Sequence, residues 1–432
     1  MTCEVMLMNL QSVVLAADSA LTITEPSTRR TIEQPNAKKL AILNASAPIA
    51  AMFFGNGDFG GYQWAQIFDS FRENQALQTL SVSQTAGSFV KFLSDLDSDG
   101  RVGQLKVEQS HEFRTFRVYV GDVIERLREL VYEHGGGDEF HASPTEPQIV
   151  RALEQLRTET LYEASEFGDE IGEGANLRER PLIGENTPRL REFLSKFLAQ
   201  VMESWVTKLV PYLSAPHRDQ LGQIIAGSIL TDWIPPSTSF AGIVIAGYSA
   251  QNPLPSATEL RVVGLMGGVL KYCRAADNTP TTSQGLVIES YAQDSPIVSM
   301  LWGADLNFLN QTLVFSKEIL HSVFSKILNE LPQSQATFKK MLSEQFLQIA
   351  EDVPFSTLQT SVRWYHDQML DLIGPVLESA HAQQLSEYAG RLLDYAVIRH
   401  ELTGNRGVMR PLKVCEMEKG KVRIFQVGRA HD

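Results

Sequence analysis

The chain has 432 residues, with 38 Lys and Arg against 51 Asp and Glu and a formal net charge of −13. Hydrophobic residues at 43% and charged residues at 21% exclude wholesale disorder and fibrous repeats. The acidic balance argues against a broad nucleic-acid face, because phosphates are neutralised by clustered Lys and Arg.

The first sixty residues read as β-structure. Thr2–Leu10 and Val13–Ala17 are apolar runs around the polar break Gln11-Ser12, the pattern of a hairpin without the usual Gly. A signal peptide opens with positive charge, whereas Glu4 precedes this apolar stretch and Asn9, Gln11 and Ser12 interrupt it, so a buried strand pair is expected. No run approaches the roughly 18 apolar residues of a membrane span. Glu25–Asn36, polar and containing Pro26 and Pro35, reads as a loop. Lys39–Leu43 and Pro48–Phe54 form a second strand pair, ended by the tight turn Gly55-Asn56-Gly57-Asp58. From Gly61 to about Leu96 the period turns helical, with Trp64, Ile67, Phe68 and Phe71 on one face.

Residues 97–230 are rich in Glu and Arg, helical in period, and broken near 135–147 and 168–188. They read as an inserted helical subdomain with mobile loops, between a first part at 1–96 and a second at 231–432. Strands return at Ser239–Tyr248 and Glu259–Gly264, with a third at Gly268–Tyr272. Residues 290–403 are helical, and Leu412–Met417 and Val422–Val427 form a terminal hairpin about Glu418–Lys421. Strands and helices in separate runs indicate an α+β fold.

The chemistry concentrates at residue 2. Removal of Met1 gives Thr2 both a hydroxyl and a free α-amine, which with an ordinary pKa of about 7.7–8 accepts a proton near neutrality. A terminal Thr is therefore a weak nucleophile carrying its own base, still in need of electrostatic support and an oxyanion hole. The first hairpin returns Asp18 toward Thr2, Lys38-Lys39 opens the next strand, and that strand's partner ends at Gly55. A Thr, an Asp, a Lys and a Gly thereby converge at one end of a sheet.

This pattern resembles the proteasome β-subunits and their bacterial relatives, members of the N-terminal nucleophile (Ntn) hydrolases. In that family a Thr-initiated hairpin ends in an A-A-D-S-R-A-T-like stretch, here Ala16-Ala17-Asp18-Ser19-Ala20-Leu21-Thr22. A K-K-[I/L/V] pair follows, here Lys38-Lys39-Leu40, and then an apolar strand running into a Gly-rich turn. The likeness is strongest over 2–60 and weaker at Phe240–Tyr248, Ser290–Gly303 and 395–427. It implies a four-layer αββα sandwich carrying the inserted helical subdomain, and threonine-type cleavage of a peptide or small amide. Thr2 is implied as nucleophile, Asp18 and Lys39 as the charged pair beside it with Lys38 as alternate, and Gly55 N–H as oxyanion donor. Homo-oligomerisation is implied as well, with no cofactor and no nucleic-acid or membrane partner. The late R-D-x-x-S-G stretch of the family is matched by Arg399-His400-Glu401-Leu402-Thr403-Gly404, where Thr403 takes the Ser role and His400 replaces the Asp. Ser295 in Gln293-Asp294-Ser295 is a loose match for the family's Gly-Ser stretch. The competing expectation is a catalytically inactive Ntn-fold scaffold or adaptor acting through the helical insertion.

Other signals read as structural. Asp95, Asp97, Asp99 and Gly100 match half an EF-hand loop, but Lys106 stands where its bidentate Glu belongs. Cys3, Cys273 and Cys415 form no CxxC, so neither disulfides nor zinc are expected, and a reducing cytoplasm suits them. Cys3 alternates away from Thr2 and reads as core. His134 and His141 lack partners for a metal set, and the arginines from Arg178 to Arg191 read as solvated.

Overall fold

A computed structural model describes residues 3–24, 31–34, 37–74, 80–96, 101–102, 104–133, 144–161, 187–249, 252–282, 285–292, 297, 306–330, 336–402 and 408–427. The elements begin with strands β1 (Cys3–Asn9), β2 (Ser12–Ala17), β3 (Leu21–Thr24), β4 (Thr31–Gln34), β5 (Leu40–Asn44), β6 (Ile49–Gly55), β7 (Asp58–Phe59) and β8 (Tyr62–Gln63). Helices α1 (Trp64–Asn74), α2 (Val82–Ser94), α3 (Gln109–Glu133), α4 (Glu146–Leu161), α5 (Thr187–Leu209) and α6 (Ala215–Ile229) follow. Next come β9 (Ala241–Gly247), β10 (Ser256–Met266), β11 (Val269–Asn278) and β12 (Leu286–Ala292). The chain continues with α7 (Leu306–Glu330), α8 (Ala336–Glu378), α9 (Ala382–Leu402), β13 (Leu412–Glu418) and β14 (Lys421–Val427). This is the expected α+β class, with antiparallel sheets. The chain divides into two units, one of residues 1–20, 280–416 and 425–432, the other of residues 21–279 and 417–424.

The first unit is built on a sheet of order β12-β1-β2-β13-β14. β1 lies between β12 and β2, and both β1 and β2 are buried along their whole length. Strands covered on both faces need continuous apolar runs, which is why Val5–Met8 and Val13–Ala17 look as they do. The missing turn glycine is replaced by Asn9, whose Oδ1 accepts the N–H groups of Gln11 (2.9 Å) and Ser12 (2.8 Å). Its Nδ2 donates to the carbonyls of Leu377 and Ala380, both at 2.8 Å, so the buried amide is satisfied. α9 packs on β1 and β2 through Leu385, Ala389, Leu393 and Ala396. Cys3 is buried in that same core.

The second unit carries a sheet of order β11-β10-β9-β6-β5. Gly267 and Gly268, both at positive φ (58° and 77°), make the tight β10–β11 turn, and β11 runs to Asn278, six residues past the predicted strand. Thr31–Gln34, predicted as loop, is strand β4 paired with β3. The helix expected over 61–96 is two helices preceded by the β7–β8 ribbon; a capping box at Ser81 and Gln84 starts the second. Trp64, Ile67, Phe68 and Phe71 form the predicted face, packed with Phe89 and Phe92 of α2 in the sheet's core. Burying each of these large side chains contributes roughly 1.5–3 kcal/mol.

Helices α3–α6 share a second core containing Met266 and Val269, and α3 packs on β10. Arg126 of α3 grips Glu159 of α4 through Nε (3.1 Å) and Nη2 (2.8 Å). Buried Lys271 donates from Nζ to the carbonyls of Ser228 (2.5 Å) and Thr231 (2.6 Å), closing the C-terminal end of α6. Arg189 is not a solvated charge. Its Nη2 meets the fully buried Glu112 carboxylate at 2.6 Å, which also accepts Gly268 N–H at 2.9 Å. Both predicted breaks of this region, and the halves of the EF-like loop at 97–100, fall largely outside the described residues, as do His134, His141, Arg178 and Arg180.

Asp122 on α3 gives this unit a pH-dependent term. Burial pushes its carboxyl up to about 6, a hydrogen bond from Thr238 Oγ1 (2.9 Å) opposes that, and Glu125 adds to it. A carboxyl raised on folding contributes stability below its unfolded pKa near 4 and loses it as pH rises through 6. Asp122→Asn is therefore expected to flatten the stability profile between pH 4 and 6. The wild-type gain on acidification is about 1 kcal/mol after screening of a half-buried group, read by urea unfolding of both proteins. Identical slopes would remove Asp122 as the source.

Candidate functional site

Three of the six predicted site residues are described: Asp18 in the first unit, Lys39 and Gly55 in the second. Thr2, Ser295 and Thr403 lie outside the described residues.

In the first unit, the β1–β2 register pairs Glu4 with Ala17, which carries Asp18 to the start of β1. Asp18 is buried. Its Oδ1 accepts Cys3 N–H at 3.1 Å, the amide joining residues 2 and 3, and its own N–H donates to Cys3 O at 3.2 Å. Its Oδ2 accepts the N–H groups of Ala20 (2.9 Å) and Met409 (3.0 Å). The carboxylate thus ties together the chain start, the end of β2 and the segment before β13. Ser19 adds a second tie to that segment, donating from N–H (3.1 Å) and Oγ (3.3 Å) to Met409 O. His400, on α9 of the same unit, is buried, and its imidazole is held below its ordinary pKa by that burial and by Arg399, against the pull of Asp18. It is neutral at pH 7.

In the second unit, Phe53 N–H donates to Lys39 O at 3.1 Å, continuing the β5–β6 ladder past Leu40 and Met52. Lys39 and Gly55 therefore stand at the same end of that strand pair. Lys39 is buried, whereas Lys38 is exposed. Gly55 has φ +76°, and a Cβ there would come within 2.4 Å of Phe240 O. No side chain is accommodated at this position. The turn beyond it is fixed through Asn56. Its N–H donates to Phe240 O (3.0 Å), its carbonyl accepts Trp64 Nε1–H (2.8 Å), and its Oδ1 accepts Ser239 Oγ–H (2.9 Å). Beside this turn lies a cavity of about 380 Å³, lined by Leu21, Phe53, Gly57 and Trp64 with Lys38 and Asp69 among its polar groups. A larger groove of about 650 Å³ between α5 and α6 contains none of the predicted site residues.

Sequence reasoning missed the supports of both halves. Met409, which donates to Asp18, lies 391 residues away along the chain. Asn56 was visible only as a turn residue; the Gly-Asn-Gly spacing was the one available sign that backbone geometry matters there. Among the described residues no group of three or more His, Cys, Asp or Glu is placed to hold a metal ion, and no helix is long and apolar enough to cross a membrane. Comparison with protein-family models, curated proteins and solved structures finds no match to this chain.

Proposed function

We propose that the chain is an Ntn-type threonine hydrolase of the αββα class, cleaving a peptide or small amide bond with Thr2 after removal of Met1. The observation that carries this reading is the Asp18 carboxylate, buried and hydrogen-bonded to the amide that joins residue 2 to residue 3. The buried Lys39 and the side-chain-intolerant Gly55 at one strand end support it, as do two antiparallel five-stranded sheets, the parts such a sandwich requires. In the proposed cycle Thr2 Oγ attacks the carbonyl carbon while the α-amine takes the hydroxyl proton. Gly55 N–H stabilises the oxyanion. The C–N bond breaks, and the proton passes from the α-amine to the leaving amine. Water then attacks the Thr2 ester, giving the acid and the free hydroxyl. The cavity beside Gly57 suits a substrate side chain with an apolar stem and a polar end, since Leu21, Phe53 and Trp64 share its lining with Lys38 and Asp69.

The test is intact mass before and after a threonine-directed β-lactone. Loss of Met1 and a single adduct are expected; retained Met1, or no adduct, overturns the hydrolase reading in favour of a non-catalytic scaffold. A second expectation separates the two lysines. Lys39→Ala is expected to lower kcat by about 10²–10³-fold, the scale of removing one electrostatic group from a reacting centre. Lys38→Ala, at the cavity, is expected to change KM by less than about tenfold. Equal losses in both variants, with circular dichroism unchanged, would exclude a specific role for Lys39.

A further inference from the structure

We propose that Ser214, His217 and Glu146 form a separate nucleophilic site, at which activated carboxylic esters acylate the Ser214 hydroxyl. All three residues belong to the second unit, and the inference does not rest on the hydrolase reading at Thr2. Ser214 Oγ lies 3.0 Å from His217 Nδ1, and His217 Nε2 lies 3.1 Å from Glu146 Oε1. A hydroxyl within hydrogen-bond reach of a base that a third group orients is the arrangement that activates a nucleophile, whatever the order along the chain. A carboxylate only accepts, so the neutral imidazole donates from Nε2 to Glu146 and keeps Nδ1 to accept the Ser214 proton.

Local structure gives each group its place. Glu146 opens α4, whose start is pinned by the N–H and Oγ–H of Thr145, both donating to Gln148 Oε1 at 2.7 and 2.9 Å. α4 packs on α6 within the core that holds Ile149, Leu153, Leu221 and Ile225, which fixes Glu146 relative to His217. His217 is buried and Ser214 is exposed, a held base beside an accessible hydroxyl. Ser214 is also the N-cap of α6, where a serine ordinarily accepts an N–H of the first turn. Among the described residues it makes no such capping bond, and its hydroxyl meets the imidazole instead. Arg218 N–H donates to Ser214 O at 3.0 Å, and Pro216 has no N–H. The N–H groups of Ala215 and His217 are then the first-turn donors at the positive end of α6 that an oxyanion beside Ser214 can use.

In the reaction Ser214 Oγ bonds to the carbonyl carbon as its proton passes to Nδ1. The C–O bond to the leaving group breaks, and that oxygen takes the proton from Nδ1. Water then attacks the acyl-serine, its proton returning through Nδ1 to Ser214 as the carboxylic acid leaves. Ser214, Ala215 and Pro216 are all exposed, so the surroundings bind and orient the acyl group weakly. The substrate class is therefore esters with a good leaving group, aryl esters above all, and not amides, whose leaving amine must be protonated in a positioned complex.

The experiment is labelling of the full chain with a fluorophosphonate, whose phosphorus an activated serine attacks with loss of fluoride, followed by peptide mass spectrometry. The native wild type is expected to carry the label on Ser214, and the urea-denatured chain to carry none. Thr2→Ala is expected to label at the wild-type rate, so failure of the Thr2 reading and failure of this one are told apart. His217→Gln, with unchanged circular dichroism, is expected to slow both labelling and p-nitrophenyl acetate hydrolysis by about 10²-fold or more. Ser214→Ala is expected to remove the label and the His217-dependent hydrolysis. Glu146→Gln keeps an acceptor for Nε2 but not the charge, and is expected to lower kcat for the ester about tenfold with KM unchanged. A native wild type without label on Ser214, or His217→Gln labelling at the wild-type rate, would reduce the three residues to a helix-start hydrogen-bond network and overturn the inference.

Discussion

Thr2→Ala is expected to abolish the β-lactone adduct and to lower amide turnover by at least about 10³-fold, leaving the fold and melting temperature unchanged. Removing a nucleophile removes every step that passes through the covalent ester, which is why such losses exceed those of any supporting group. Thr2→Ser, which keeps the hydroxyl and the α-amine, is expected to retain activity within about 100-fold. Because the proposed base is the α-amine, kcat/KM should rise with pH through about 8, its ordinary titration range, and flatten above. A variant that retains one residue before Thr2 should be as inactive as Thr2→Ala, although it keeps the hydroxyl. The result that excludes the reading is full activity in Thr2→Ala.

Much of the β-framework was legible because its central strands are buried along their length and so carry continuous apolar runs. The predicted runs Thr2–Leu10, Val13–Ala17 and Pro48–Phe54 end within one residue of β1, β2 and β6. What periodicity could not give was partnership across the chain. The Asp18–Met409 hydrogen bond joins residues 391 apart, and nothing local to Asp18 distinguishes a strand-end cap from a carboxylate that ties three segments. Arg189 was misread for the same reason. A basic residue among glutamates has the pattern of a solvated face, and only the fold brings buried Glu112 to it. Gly55 was legible as a turn glycine but not as one pressed against the Phe240 carbonyl.

The second large effect is expected at Asp18, where structural and chemical roles can be separated. Asp18→Ala leaves the buried N–H groups of Cys3 and Ala20 and the part-buried N–H of Met409 without their acceptor. At about 1–3 kcal/mol for each orphaned donor, with partial relaxation, the variant should lose about 3–5 kcal/mol. That is a fall in melting temperature of about 10 °C, at the roughly 2–4 °C per kcal/mol of a chain segment this size. Asp18→Asn is the sharper probe. Its amide oxygen can accept from Ala20 and Met409, but its NH₂ then faces Cys3 N–H, donor against donor, and the cost drops to about 1–3 kcal/mol. If Asp18 only ties the chain start to β2 and the segment before β13, the folded Asn variant should work nearly as well as wild type. If its negative charge supports the reacting centre, kcat should fall about 10²-fold or more at a temperature where the protein is fully folded, with KM little changed. The hydrolase reading requires the second pattern. Wild-type kcat in folded Asp18→Asn would reduce the carboxylate to a hydrogen-bond acceptor and remove the observation on which the functional proposal rests.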